Sequence, residues 1–341
     1  MTTSTTTSNT STFTYQPLNS RARTALEASL ARGAAVDGPG DLGHLLALPP
    51  NRDGDTEIVG STPVAHRFVD APGDSETVRW HWVEAGPANG EPVVMLHGIP
   101  DCWYMWRYQI DDLAQLGYRV LAVDIKGYGQ SDKKTGDYRH EGVSEQLLAM
   151  LDIIGVDRFN MIGHDRGAVI FDYLGGNHPE RILRYIRGEQ HLWHFNPDLA
   201  PQEAIFTNPE TNVLMRQPAQ FVRFLYAALA TRPISREDTV RTVREWSRDG
   251  IGMTVPRYFL SSSFRKEWID RRTRLIPAWN FPILLLQGRD DPFQPFEFYE
   301  MALEHIPTAT LHFMDCGHYY HLELPDQTEA VIRDFLQRPL S

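Results

Sequence analysis

Short, mainly apolar runs, set between stretches of helical spacing, constrain the fold of this chain more than any other feature. Pro92–Leu96 (PVVML), Arg119–Val123 (RVLAV) and Ile283–Gln287 (ILLLQ) are too brief for helices, and they do not alternate as half-exposed strands do. Such runs suit strands buried on both faces of a parallel sheet. Trp103–Leu116 and Gly142–Ile154 carry helical spacing between them, and Asn160–Gly163 is a further short strand with a helix from about Gly167. Thr77–Glu84 alternates, while Arg184–Ile186 and Thr310–Met314 extend the pattern. Strands and helices in this order predict an α/β protein with a doubly wound, mostly parallel sheet and right-handed crossovers.

The rhythm breaks between residues 190 and 275, which are rich in aromatic residues, Arg and Pro and show no clear strand. A helical insert placed before the last strands is expected to form a lid over the carboxyl edge of the sheet, where ligands bind in open α/β folds. The 341 residues therefore divide into a tail and arm (1–60), a first core segment (61–189), the lid (190–275) and a second core segment (276–341). Residues 1–16, rich in Thr and Ser, are expected to be disordered. Residues 18–32 suit a helix capped by Asn19 or Ser20, and a Gly- and Pro-rich arm runs from Gly33 to Gly60. A net charge of −11 argues against nucleic acid or an anionic membrane as partner. No run of about 18 apolar residues predicts a membrane span, and the N-terminus does not read as a signal peptide. With only Cys102 and Cys316, neither a disulfide framework nor a zinc site is expected, and a reducing cytoplasm is the simplest setting.

The chemistry centres on Gly163-His164-Asp165-Arg166-Gly167, a G-x-Nuc-x-G pattern between a strand and a helix. The pentapeptide alone is a common turn; its context makes it a nucleophile elbow. In this architecture the nucleophile is followed by an acid and then a histidine. Gly288-Arg289-Asp290-Asp291-Pro292 follows the run ILLLQ, and Asp291 is preferred to Asp290 as the fourth residue of that loop. Cys316-Gly317-His318 follows the last strand and supplies the base, with His164 read as a structural hydrogen-bonding residue. Upstream, Leu96-His97-Gly98-Ile99-Pro100 also follows a strand, so the N–H groups of Ile99 and Arg166 are the candidate oxyanion hole.

Residues His97–Asp132 (HGIPDCWYMWRYQIDDLAQLGYRVLAVDIKGYGQSD) resemble the soluble epoxide hydrolases, as do Gly163–Gly167, the HPERI run at His178–Ile182 and CGH at Cys316–His318. The similarity covers roughly residues 75–340 and is weakest in the lid. It implies an α/β-hydrolase fold in which Asp165 opens an epoxide as an alkyl-enzyme ester and water activated by His318 and Asp291 hydrolyses it. The family also uses two lid tyrosines to protonate the alkoxide. Tyr258 matches the second by position, the first has no match around Asn212–Met215, and Trp193 or His194 is a candidate substitute. His97, Trp103, Trp193 and His194 are the candidate substrate-binding residues. The resemblance implies a small-molecule epoxide and water as the partners, requires no cofactor or metal, and leaves a homodimer open; the Trp, Phe, Leu and Met content of the lid suggests a bulky apolar substrate, though core packing explains those residues equally well. His191 and His194 lie three apart with no third ligand evident. Two alternatives remain. Dehalogenases share the carboxylate nucleophile, but haloalkane enzymes carry Asn where Ile99 stands and Trp where Arg166 stands, and fluoroacetate enzymes carry a second Arg where Val169 stands. A silent ligand-binding protein on the same fold is the other.

Overall fold

The computed structural model describes residues 19–73, 77–194, 206–208, 210 and 214–340. The expectation of a disordered segment at residues 1–16 lies outside them. Nine strands form one sheet in the order β1-β2-β3-β5-β4-β6-β7-β8-β9. The strands are β1 Thr56–Val59, β2 Thr62–Pro72, β3 Thr77–Ala85, β4 Pro92–Leu96, β5 Arg119–Asp124, β6 Phe159–His164, β7 Ile182–Gly188, β8 Ile283–Gly288 and β9 Ala309–Met314. The first three are antiparallel, and β3 also meets β5 antiparallel; from β5 through β9 every pairing is parallel. The fold class expected from the pattern is therefore present. β1 and β2 extend it at one edge, inside and just beyond the stretch read as an arm.

The apolar runs behave as their composition dictates. Every residue of β6, β7 and β8 is buried, whereas edge strand β9 alternates between half-buried and exposed positions along most of its length. Successive side chains point to opposite faces of a strand, and the core divides accordingly. Val94, Leu96, Leu121 and Val123 join one apolar cluster, and Val93, Met95, Val120 and Ala122 join the other. Helices α2 (Arg107–Gln115) and α11 (Pro325–Leu336) cover the second face, through Ile110, Leu113, Ile332 and Phe335. Helices α3 (His140–Ile153) and α4 (Arg166–Asn177) cover the first, through Val143, Leu147, Ile170 and Phe171. Cys102 and Cys316 are buried, free thiols in the second cluster.

Between β7 and β8 the chain leaves the sheet and forms α5 (Pro218–Leu229), α6 (Arg236–Trp246), α7 (Thr254–Ser261) and α8 (Phe264–Asp270), with no strand among the described residues. Helices α9 (Phe296–Ala302) and α10 (Tyr320–Glu323) complete the second core segment. The N-terminal helix α1 spans Ser20–Ala34, and the Asn19 side chain caps it by accepting from the Ala22 N–H at 2.8 Å. No described helix is long and apolar enough to cross a membrane.

Strand β4 pairs with β5 on one side and with β6 on the other, so the chain reverses its direction of progress across the sheet there. That reversal opens a crevice beyond the carboxyl ends of β4 and β6, the natural ligand site of a doubly wound sheet.

Candidate active site

The loops that leave the carboxyl ends of β4, β6, β7, β8 and β9 converge on this crevice. Asp165 follows β6 with φ 49° and ψ −117° and opens α4. Positive φ in a non-glycine residue is costly and persists only where the surroundings enforce it. Here Asp165 N donates to Gly188 O at 3.1 Å and Gly167 N donates to His97 O at 3.0 Å, which pins the turn from both sides. The turn has no room for side chains at its flanks. A Cβ on Gly167 would lie 2.4 Å from Leu96 O, and one on Gly98 would lie 2.4 Å from the Asp165 Cβ.

The Asp165 carboxylate has two distinct ends. Oδ1 accepts from Ile99 N–H at 3.1 Å, and Oδ2 accepts from the Gln190 side-chain amide at 2.7 Å. Arg166 is the first residue of α4, so its N–H has no intrahelical acceptor, and the residue lines the same crevice. His318 Nε2 stands 3.9 Å from Asp165 Oδ2, and its Nδ1 is 2.7 Å from Asp291 Oδ2. Asp291 is itself oriented by the Phe293 N–H, which donates to Oδ1 at 2.8 Å.

The charges follow from this packing. Burial pushes the Asp165 carboxyl up, but the His318, His164 and Arg166 charges and the Gln190 hydrogen bond outweigh it and hold the group below the usual range. Burial likewise pulls His318 down, and the Asp291 charge and hydrogen bond, with the Asp165 charge, carry it above an ordinary imidazole. Asp291 falls to about 2: burial raises it, while the His318 charge and a hydrogen bond from Glu189 lower it further.

Glu189 was not singled out by its sequence context. It follows β7 with φ 57°, is fully buried, and accepts from Gly288 N at 2.6 Å and from the Gln287 amide at 2.9 Å. Burial, and then the neighbouring Asp291 charge, push its carboxyl well above the usual range. The ligating atoms of Glu189, Asp291 and His318 lie within 4.8 Å of one another. Gln190, the next residue, was also missed. The only available signal was position: both residues end a buried strand next to the one that carries the elbow.

A cavity opens over the carboxylate. Ile99, Asp165, Arg166, Gln190 and His318 line its floor, and its walls are largely apolar, including Phe224, Leu225, Phe259 and Phe293. Several expected binding residues lie elsewhere. The Tyr258 hydroxyl donates to Lys126 O at 2.8 Å, and its buried ring supports the Arg166 guanidinium, 4.2 Å above it, and stacks on His140. The expected proton donor thus points away from the cavity, because a fully buried hydroxyl takes the nearest backbone acceptor. His97 is buried with both ring nitrogens engaged: Nδ1–H donates to Gly98 O at 2.8 Å, and Nε2 accepts from Ile125 N at 3.0 Å. Trp103 is fully buried in the core behind the crevice. Trp193 stacks on His305 at 4.0 Å under the Arg272 guanidinium, and His194 lies near His305 and Phe298. These aromatic groups satisfy one another instead of facing the crevice. His164 Nε2–H donates to His318 O at 2.8 Å, so it braces the turn that carries His318. No tyrosine is among the described residues lining the cavity.

A model described as alpha/beta hydrolase fold matches residues 91–325. The chain is 39% identical over 307 residues to bifunctional epoxide hydrolase 2 of Sus scrofa, which covers 76% of this chain and 53% of that protein. The AB hydrolase superfamily protein YfhM of Bacillus subtilis is 26% identical, with 75% of this chain and 94% of that protein covered. The chain spans 53% of the Sus scrofa protein and 26% of its Rattus norvegicus counterpart. Among solved structures, epoxide hydrolase A from Mycobacterium thermoresistibile superposes with a TM-score of 0.68 at 23% identity, over 82% of this chain and 99% of that one. With Gly163–Gly167, Asp291 and His318 all inside the matched segment, this chain belongs to the alpha/beta hydrolase fold family.

Proposed function

We propose that this chain is an epoxide hydrolase that works through an ester on Asp165. The observation that carries the reading is the two-ended carboxylate. Oδ1 already occupies an N–H donor site at Ile99, while Oδ2 faces the cavity and His318. Oδ2 attacks an epoxide carbon, the carbon–oxygen bond of the ring breaks, and its electron pair moves to the epoxide oxygen. The alkoxide is held by the Arg166 guanidinium and the Gln190 amide, the donors the cavity offers in place of a tyrosine, and takes its proton from water. His318 Nε2 then removes a proton from a second water, which attacks the ester carbon. The oxyanion forms on Oδ1, between the Ile99 and Arg166 N–H groups. Collapse breaks the bond to the diol oxygen, which takes the proton from His318; the proton left on the Asp165 carboxyl neutralises the hydroxide from the first step, so carboxylate and neutral imidazole return and a vicinal diol leaves. The helical insert serves as the lid, and the apolar walls select an apolar substituent.

The test is His318→Gln, incubated with panels of epoxides and haloacids and read by intact mass. The expected result is a mass gain equal to a whole epoxide, abolished by Asp165→Ala. A gain equal to a haloacid minus hydrogen halide establishes dehalogenation instead, and no adduct from either panel rejects ester chemistry on Asp165.

The pH profile follows from the same geometry. His318 accepts a proton only when Nε2 is unprotonated, and its pKa is raised. Ester hydrolysis is therefore fully present above the His318 pKa of the ester and lost as pH falls through it; the ester lacks the Asp165 charge, so that limb lies below the free-enzyme pKa, while the Asp291 charge still raises it. Asp291→Asn removes the largest raising influence, so the limb moves to lower pH while the maximal rate drops. Proton titration of His318 by NMR in both proteins, beside single-turnover kinetics, checks the direction; an unmoved limb rejects the Asp291 role.

A further inference from the structure

The cavity has a wall that the family match, beginning at residue 91, does not include. Leu26, Ser29, Leu30 and Gly33 form one stripe of α1, at the spacing of a single helix face. Leu26, Ser29 and Gly33 are buried, and Leu30, half-buried, lines the same cavity as Asp165 and His318. The contact is built in detail. Ser29 Oγ donates to Ala228 O at 2.6 Å, and the Arg32 guanidinium donates to Ala228 O at 3.0 Å and to Ala227 O at 3.3 Å. These are last-turn carbonyls of α5, which have no intrahelical donor. A Cβ on Gly33 would lie 2.8 Å from Phe224 Cε2, so the Phe224 ring packs directly on the α1 backbone there. At its other end α1 reaches the core, where the Asn19 amide donates to Glu297 at 3.2 Å. Helix α1 thus bridges the insert and the core segment across the seam of the cavity. The wall it leans on connects directly to the base, since Leu229 O accepts from His318 N at 3.0 Å.

We propose that α1 is a fixed wall of the substrate cavity and that Leu30 sets the size of the apolar substituent the cavity accepts. This deepens the epoxide-opening reading and rests on it for the reacting group alone. The side chain has no polar partner to make, and its neighbours on the wall are Phe224, Leu225 and Ala228. A change in its volume therefore changes the space beside the nucleophile and not the charges there.

The test compares the full-length protein with Leu30→Trp and Leu30→Ala, each checked for an unchanged circular dichroism spectrum. Two series of matched chain length are used: 1,2-epoxyalkanes for turnover, and unreactive primary amides for binding by calorimetry. In the tryptophan variant the ratio of kcat/KM for the longest to the shortest epoxide is expected to fall by about tenfold or more; in the alanine variant it rises. The amide affinities follow the same order. Length profiles that match the unaltered protein in both variants and both series overturn the proposal. Amide profiles that depend on Leu30 without any epoxide turnover uphold the wall and reject the epoxide reading. Epoxide turnover with a profile blind to Leu30 does the reverse, and neither turnover nor binding in the unaltered protein rejects both.

Discussion

Asp165→Asn is expected to lower epoxide turnover by about 10⁴-fold or more, in line with the loss of a nucleophile in other covalent hydrolases. That corresponds to about 5.5 kcal/mol of transition-state stabilisation. The substitution is nearly isosteric, and asparagine tolerates positive φ better than most residues, so the elbow at φ 49° should survive. The amide lacks the negative charge needed to attack a saturated carbon. It also presents a second donor to a site where Ile99 N–H and the Gln190 amide already donate to the two oxygens. One of those contacts must then reorganise. Part of the push on His318 disappears as well, because the Asp165 charge is among the causes that raise its pKa. The check is single-turnover kinetics together with a thermal melt. A folded protein that retains turnover within tenfold removes Asp165 from the mechanism.

Asp172→Ala is expected to destabilise the fold by about 3 to 5 kcal/mol, the scale seen when one partner of a buried ion pair is removed. Asp172 and Arg187 are both fully buried. Arg187 Nε donates to Oδ1 at 2.8 Å and Nη2 donates to Oδ2 at 2.9 Å, Tyr185 O–H adds a bond to Oδ1 at 3.0 Å, and the buried Arg271 guanidinium lies 3.6 Å from Oδ2. Removing the carboxylate leaves two buried cations facing each other's field. The loss also reaches the active site. Arg187 donates to Gln190 O at 2.9 Å and to His191 O at 2.8 Å, which holds the segment that brings the Gln190 amide to Asp165. Asp172→Asn keeps the shape and some of the hydrogen bonds, so its cost should fall between the unaltered protein and alanine. Denaturant unfolding measures the difference. An alanine variant within about 1 kcal/mol of the unaltered protein would falsify the structural role assigned to this pair.

The readable parts of this protein were those whose meaning is local. A run such as ILLLQ is buried on both faces because its four aliphatic residues gain by leaving water, and in the structure β8 has no exposed residue, with the Gln287 amide satisfied by Glu189 and Gln294 O. The elbow at Asp165 is written in two flanking glycines that no other residue can replace at such close approach. Asp291 and His318 were legible because each sits in a short turn after a strand. Parallel strands bring all such turns to one edge, whatever the distance between them in the chain.

Side-chain direction and long-range contact were not legible. Tyr258 matched a donor position, yet its hydroxyl went to Lys126 O, because a buried hydroxyl takes whichever acceptor the packing presents. Trp193 and His194 turned to His305, a residue more than a hundred positions away. Glu189 and Gln190 had no motif, and their proximity to Asp291 and Asp165 exists only once β7 lies between β6 and β8. Helix α1 could be placed from its cap and spacing, but not its contact with α5, which joins residues about 200 positions apart. Periodicity, turn chemistry and chain order act between near neighbours, so the sequence alone determined the parallel part of the sheet, the strand–turn–helix at Asp165 and the chain order of Asp165, Asp291 and His318. Which polar atom faces the cavity, and which helix closes it, is settled by competition among distant partners for the same buried space, and only the tertiary structure decided that.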